Sequence, residues 1–201
     1  MTEKQQIIIR TALKLFYRQG IHAVGINEII QQSGVAKKTL YSYFSGKEAL
    51  ILAALNYRDE IFMGWLSQTM ASTNPGQPAL LAMFHGLDDW FNNRATALGN
   101  FRGCFFINAS GEYTDPQTPV HQACKAHKAN VHALVLQHTK LVCENQAAAL
   151  QLADTLCLLK EGAITTAMVQ EDPGAAHRLI PLVKTLIQPA LCTSAPHIAD
   201  T

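Results

Sequence analysis

Residues 26–50 read INEIIQQSGVAKKTLYSYFSGKEAL, and their punctuation implies two short helices joined by a tight corner. Asn27 is a good N-cap, and Ile29 and Ile30 give the first helix an apolar side. Ser33-Gly34 stops that helix, because glycine readily adopts the left-handed conformation that a helix end favours. Val35-Ala36 fills the corner with small apolar bulk. Lys37, Lys38 and Thr39 open the second helix, which carries Leu40, Tyr41, Tyr43 and Phe44. Ser45 can cap a third helix, with Glu48 three residues on as its capping-box partner. Helix, glycine-containing corner and helix is the helix-turn-helix pattern. Two lysines at the start of its second helix, with tyrosine hydroxyls beside them, suit the backbone of a DNA duplex.

Outward from this stretch the chain reads as helices throughout. Lys4 to Gln19 has apolar residues at Ile8, Ile9, Ala12, Leu15 and Phe16, the spacing of an amphipathic helix that ends at Gly20. Its expected role is to pack across the two corner helices and hold their angle. Gly46 to about Met70 is a long helix without proline, and residues 72–78 are a loop with two prolines and a glycine. Pro78 suits the first turn of a helix that runs to about Asn93. Residues 102–113, RGCFFINASGEY, contain a Phe-Phe-Ile run that fits a strand, but the surrounding helices favour a short buried helix. Helices over Val120–Glu144, Ala147–Gln170 and Ala175–Leu191 follow, with Asp172-Pro173-Gly174 as a break and a frayed tail after Cys192.

The last two helices carry Leu150, Ala153, Leu156, Ile164 and Met168, then Leu179, Ile180, Val183 and Ile187, apolar on more than one face. Such helices need two partners. One is the protomer's own core, and the other is a second copy, which predicts a homodimer joined through four helices.

Several pieces at fixed spacing resemble the tetracycline-repressor (TetR) family of bacterial transcription regulators. They are Ala12-Leu13-Lys14-Leu15-Phe16, Gly20, Ile29-Ile30, Ser33-Gly34-Val35-Ala36, Thr39-Leu40-Tyr41, Tyr43-Phe44 and Lys47-Glu48-Ala49-Leu50, roughly the first quarter of the chain. Lys38 stands where the family often has a small residue, and adds a charge there. The resemblance implies an all-α protein with a three-helix DNA-binding module over residues 1–50 and a helical ligand-binding and dimerisation domain over residues 51–201. It also implies a palindromic double-stranded DNA partner and a repressor that a hydrophobic or planar small-molecule inducer releases, with no enzymatic activity. It supports the helical reading of residues 102–113. The run Arg102-Gly103-Cys104-Phe105 resembles a subset of the family in which a cysteine here senses electrophiles or oxidants.

Charge fits this division. The whole chain carries +1, but residues 1–50 hold seven lysines and arginines against three acids, a net of +4, and the remainder is −3. A basic module beside a mildly acidic body suits a DNA reader with a companion domain. Hydrophobic residues make up 48% and charged residues 15%, which favours a large interior and an apolar subunit contact. The start, MTEKQQ, lacks the order of a signal peptide, and the apolar runs are too short to span a bilayer, so a cytoplasmic protein away from membranes is expected. Five cysteines without a CxxC pair argue against a disulfide framework.

The candidate DNA contacts are Lys37, Lys38 and Thr39 for base edges or nearby phosphates, Tyr41 and Tyr43 for phosphates, and Lys47 at the start of the third helix. Aromatics crowd the middle third, as plain core or as a pocket lined by Trp65, Trp90, Phe101, Cys104 and Phe105. His121, Cys124 and His127 share one helical arc, but lack a fourth ligand, so neither a metal nor another cofactor is expected. Glu112, Asp115 and His121 have acid–base chemistry but no nucleophile or phosphate loop beside them, which favours capping and solvated roles. A small enzyme or ligand carrier that kept the helix-turn-helix for packing is the remaining alternative.

Overall fold

The computed structural model describes residues 1–188, and all regular elements among them are helical. The expected end of the last helix at Leu191 and the tail from Cys192 lie outside the described residues. The helices are α1 (Glu3–Gln19), α2 (Ile26–Ser33), α3 (Lys37–Tyr43), α4 (Lys47–Ala71), α5 (Gln77–Phe91), α6 (Phe105–Glu112), α7 (Pro119–Thr139), α8 (Gln146–Val169) and α9 (Ala175–Leu186). A single 3-10 turn, Thr96–Leu98, follows α5. The Phe-Phe-Ile run is helical, as its neighbours implied.

Contacts gather the chain into two compact units. One is Met1–Phe62 with Arg102–Lys128, and the other is Met63–Phe101 with the described residues from Ala129 onward. The expected division at residue 50 differs from this division by contacts. α4 continues unbroken past residue 50, and residues 102–128 pack with the N-terminal helices.

In the first unit α1 packs on both α2 and α3. Ile8, Ala12, Ile29 and Leu40 are completely buried there, and Phe16 and Phe44 nearly so. Each of these leucine, isoleucine and phenylalanine side chains contributes about 1.5–3 kcal/mol, so this small core is what fixes the angle between α2 and α3. Gly34 ends α2 in the left-handed conformation, φ 66°, and its N–H donates to the Ile30 carbonyl. Asn27 does not cap α2. The helix starts two residues earlier than that cap would place it, with Gly25 at the extended cap position and no side-chain bond there, leaving Asn27 inside the first turn.

In the second unit α9 packs on α5 and α8. Leu156 and Ile180, expected among the partner-facing positions, are 0% and 6% exposed and belong to the protomer's own core. The large apolar side chains left in solvent on these helices are Leu150, one of the expected positions, with Leu158 and Val169 on α8, and Leu182 on α9. A helical face covers about a third of the circumference, so apolar content alone does not say which residues a neighbouring helix of the same chain takes.

Candidate nucleic-acid interface

α3 is held by one buried residue and presents the rest. Leu40 is its only buried side chain, and the N–H of Phe44 closes the helix on the Leu40 carbonyl. Lys37, Lys38 and Tyr41 are exposed, Tyr41 at 45%, while Thr39 and Tyr43 are half-buried. The Tyr43 hydroxyl is already engaged, since Thr2 Oγ1 donates to it at 2.9 Å. Thr2 also caps α1 by accepting from the Gln5 N–H at 3.3 Å. Tyr43 therefore ties the end of α3 to the start of α1.

Lys47 is likewise partly committed. Its Nζ donates to the His22 carbonyl at 3.4 Å. Burial holds its ammonium below the usual lysine range, against the opposing pull of the Glu112 carboxylate. Of the six candidates, Lys37, Lys38 and Tyr41 have neither a bond nor burial to restrain them, and Thr39, Tyr43 and Lys47 also serve the fold.

Behind this surface lies a joint that local patterns do not announce. Glu112, the last residue of α6, accepts the N–H of Ile21 at 2.7 Å and of His22 at 2.6 Å, one on each carboxylate oxygen. Both donors belong to the turn between α1 and α2. Gly20, at φ 90°, opens that turn and keeps it bare beside the carboxylate: a Cβ there would stand 3.4 Å from Glu112 Oε1. The His22 ring also meets Tyr113 edge to face, centroids 4.9 Å apart. At the other end of the segment the Tyr17 hydroxyl donates to the Gly103 carbonyl at 2.6 Å and accepts the Arg102 N–H at 3.1 Å. Residues 102–113 are thus fastened to α1 and its following turn at both ends.

Cys104 sits inside this brace, 5% exposed, immediately before α6. Lys128 Nζ donates to its Sγ at 3.4 Å. The buried Arg58 guanidinium lies 5.2 Å from the centre of the Tyr17 ring. Burial raises the Tyr17 phenol above its usual range, opposed by Arg58. His127, 2% exposed, stacks on Phe106 with centroids 3.5 Å apart, and its Nδ1–H donates to the Asp59 carboxylate Oδ1 at 2.6 Å. The three residues weighed as metal ligands have other surroundings: His121 Nδ1 bonds the Tyr113 carbonyl at 2.8 Å, His127 meets Asp59, and Cys124 is buried. Asp115 accepts the Gln117 N–H at 2.9 Å, a turn-capping role.

The expected pocket residues separate. Phe105 and Cys104 are buried in the first unit. In the second, Trp90 is 1% exposed and packs edge to face on Phe101 at 5.0 Å. Trp65 lines a groove of about 670 Å³ formed by α4, α5 and the 3-10 turn, with Thr69, Thr73, Leu81, Ala82, His85, Asp89 and Arg94 around it. No described helix is long and apolar enough to cross a membrane.

Known proteins resemble the chain in the same terms. The family model for bacterial regulatory proteins of the tetR family matches residues 8–54. A TetR-family transcriptional regulator from Streptomyces coelicolor is 30% identical with a TM-score of 0.83, over 92% of this chain and 89% of that one. The HTH-type transcriptional regulator YjdC of Escherichia coli is 27% identical over 88% of this chain and 91% of its own length. A TetR-family regulator from Cytophaga hutchinsonii, 17% identical, shares the fold at a TM-score of 0.81 over 98% of this chain and 99% of that one.

Proposed function

Since the chain belongs to the TetR family of bacterial transcriptional regulators, we propose that it is a homodimeric cytoplasmic repressor that a small molecule releases from a palindromic operator. The observation that carries the DNA half of this reading is the exposed pair Lys37 and Lys38 on a helix held by Leu40. Two such helices on a symmetric dimer read two half-sites whose spacing mirrors the protein's own two-fold axis. An effector that binds one dimer geometry better than another shifts the population away from the one that fits DNA. The groove beside Trp65 supports the effector half, because its volume suits a drug-sized molecule. Selection of bound duplexes from a random pool, with retention measured across a salt series, tests the reading. Failure to retain any duplex at low salt refutes it.

The apolar surface left on α8 and α9 supports the homodimer reading. Leu158 is 73% exposed, Val169 67% and Leu182 44%. Replacing Leu158 by Asp leaves the protomer core intact and places a charge where the partner would cover it, a cost of several kcal/mol. The expected outcome is a folded monomer in sedimentation at micromolar concentration. A Leu158→Asp dimer as tight as wild type removes this face from consideration.

The hydrogen bond from Lys128 to Cys104 favours a second reading, in which an electrophile acts through that thiol. Cys124 supplies an internal comparison. Burial, then the nearby Cys104, pushes its thiol up to about 11, with Lys128 opposing. At pH 7 only about one Cys124 in ten thousand is then a thiolate, the form that reacts. Iodoacetamide is expected to label Cys104 before Cys124, and the adduct to loosen the Tyr17 joint and release DNA. Cys104→Ser should retain DNA binding and lose the response. A variant that still responds ends this reading.

A further inference from the structure

Three of the seven lysines and arginines in residues 1–50 stand on one face of α1. Arg10, Lys14 and Arg18 recur every fourth residue, so they fall within about 80° of arc and rise about 6 Å from one to the next. All three are exposed, and among the described residues none of them forms an ion pair or a side-chain hydrogen bond. The opposite face is the one that Ile8, Ala12 and Phe16 bury. Like charges one turn apart destabilise a helix slightly, a cost that a polyanion laid along the row removes.

A crevice of about 260 Å³ between α1 and α2 flanks Lys14 and Arg18, with Thr11, Gln19, Glu28 and Gln32 around it. Gln19 Nε2 donates to Glu28 Oε1 at 3.0 Å, which engages the one carboxylate among these lining residues. The Thr11 hydroxyl and the Gln32 amide have no side-chain partner among the described residues and are free to donate. Cations in a row with neutral donors beside them match the phosphates of a nucleic-acid backbone. From Arg10 to Arg18 the row spans about 12 Å, which faces about three or four phosphates of one strand at ~3.4 Å each. Ile7, 40% exposed, is the only large apolar side chain left in solvent on α1, too little to anchor a protein partner or a lipid surface.

This face is separate from the α3 surface. α1 packs on α3, and Leu40 is buried in the core that they share, so the exposed sides of the two helices point away from each other. α1 begins beside the end of α3, where Thr2 meets Tyr43, and the row starts about 12 Å along the helix from there. We propose that the outer face of α1 is a second duplex site, which holds the phosphate backbone of another DNA segment while α3 is on its own. Backbone binding at α1 does not need α3. The joining of two segments rests on the regulator reading above, so the two are measured apart.

The full chain carrying Lys37→Ala and Lys38→Ala is titrated into a labelled duplex of random sequence, and anisotropy is followed from about 50 to about 200 mM salt. Binding is expected to persist. Adding Arg10→Gln, Lys14→Gln and Arg18→Gln should weaken it at least about tenfold at the lower salt and lower the slope of log affinity against log salt by about 2.7. Lysine in place of both arginines keeps the charge and should keep the binding, which separates lost charge from a lost fold. Next, a selected duplex on beads is saturated with protein and offered labelled random duplex. Wild type should capture it, whereas the chain with only the three glutamines should retain the selected duplex and capture nothing. Random-duplex affinity unchanged by the glutamines overturns the proposal, as does a wild-type complex that captures nothing. So does loss of the selected duplex from the glutamine chain, which would place the row on the operator itself. Displacement of the random duplex by polyglutamate at lower charge concentration would assign the face to an acidic protein and overturn it as well. Random-duplex binding that depends on the row, in a wild type that selects no operator, leaves the site standing and removes the regulator reading.

Discussion

Replacing Lys37 and Lys38 together by alanine should remove about 2–6 kcal/mol of DNA affinity, since each contact to a base or phosphate contributes about 1–3 kcal/mol. Both side chains are exposed and neither contributes to the core around Leu40, so the fold survives the change. Salt separates their roles. A lysine on a phosphate releases a counterion, so losing two such contacts lowers the slope of log affinity against log salt by about 1.8. A lysine on a base edge changes the slope less and relaxes the sequence preference at one position. The single variant Lys38→Ala, measured by anisotropy on selected and random duplexes, assigns that residue to one class or the other. Undiminished affinity in the double variant would contradict DNA reading by this helix.

Glu112→Ala should have the second large effect, at a distance from any DNA contact. The substitution strips the acceptor from two N–H groups of the α1–α2 turn, bonded at 2.7 and 2.6 Å. Bonds to a charged group contribute about 1.5–3 kcal/mol each, and water recovers part of that at a half-exposed turn, so a loss of about 2–4 kcal/mol in unfolding free energy is expected. Lys47 also loses the negative charge beside it. The turn sets where α2 begins, so DNA affinity falls even though Lys37 and Lys38 are untouched. Glu112→Gln keeps one acceptor and should fall between the two. Urea denaturation and duplex binding, measured on all three proteins, decide it. An alanine variant as stable as wild type would mean that solvent replaces the carboxylate at no cost.

Much of the DNA-facing module is written locally. Ser33-Gly34 stops α2 because glycine holds φ 66° without strain, and Leu40 falls on the buried side with Phe44, one helical turn on, while Lys37 and Lys38 fall outside. The Phe-Phe-Ile run of α6 fitted a strand as well and became a helix through its surroundings, whereas the positions of α1 and α3, and the exposure of Lys37 and Lys38, follow from such short-range rules. The twin demands on Tyr43 and Lys47 do not. Their partners, Thr2 and the His22 carbonyl, lie 41 and 25 residues away in the chain.

The sequence by itself thus determined an all-helical chain, the helix-turn-helix and its charged edge, because capping, glycine conformation and apolar periodicity act within a few residues. Tertiary structure alone decided three other matters. It made Glu112 the fastener of the α1–α2 turn across a separation of about ninety residues, where no spacing rule operates. It put Leu156 inside the protomer and left Leu158 outside, because helical phase against a neighbour, not apolar content, selects the buried face. It buried Trp90 and Phe105 and left Trp65 beside a groove, because Gly86 lets two helices close to a distance that no property of either helix alone prescribes.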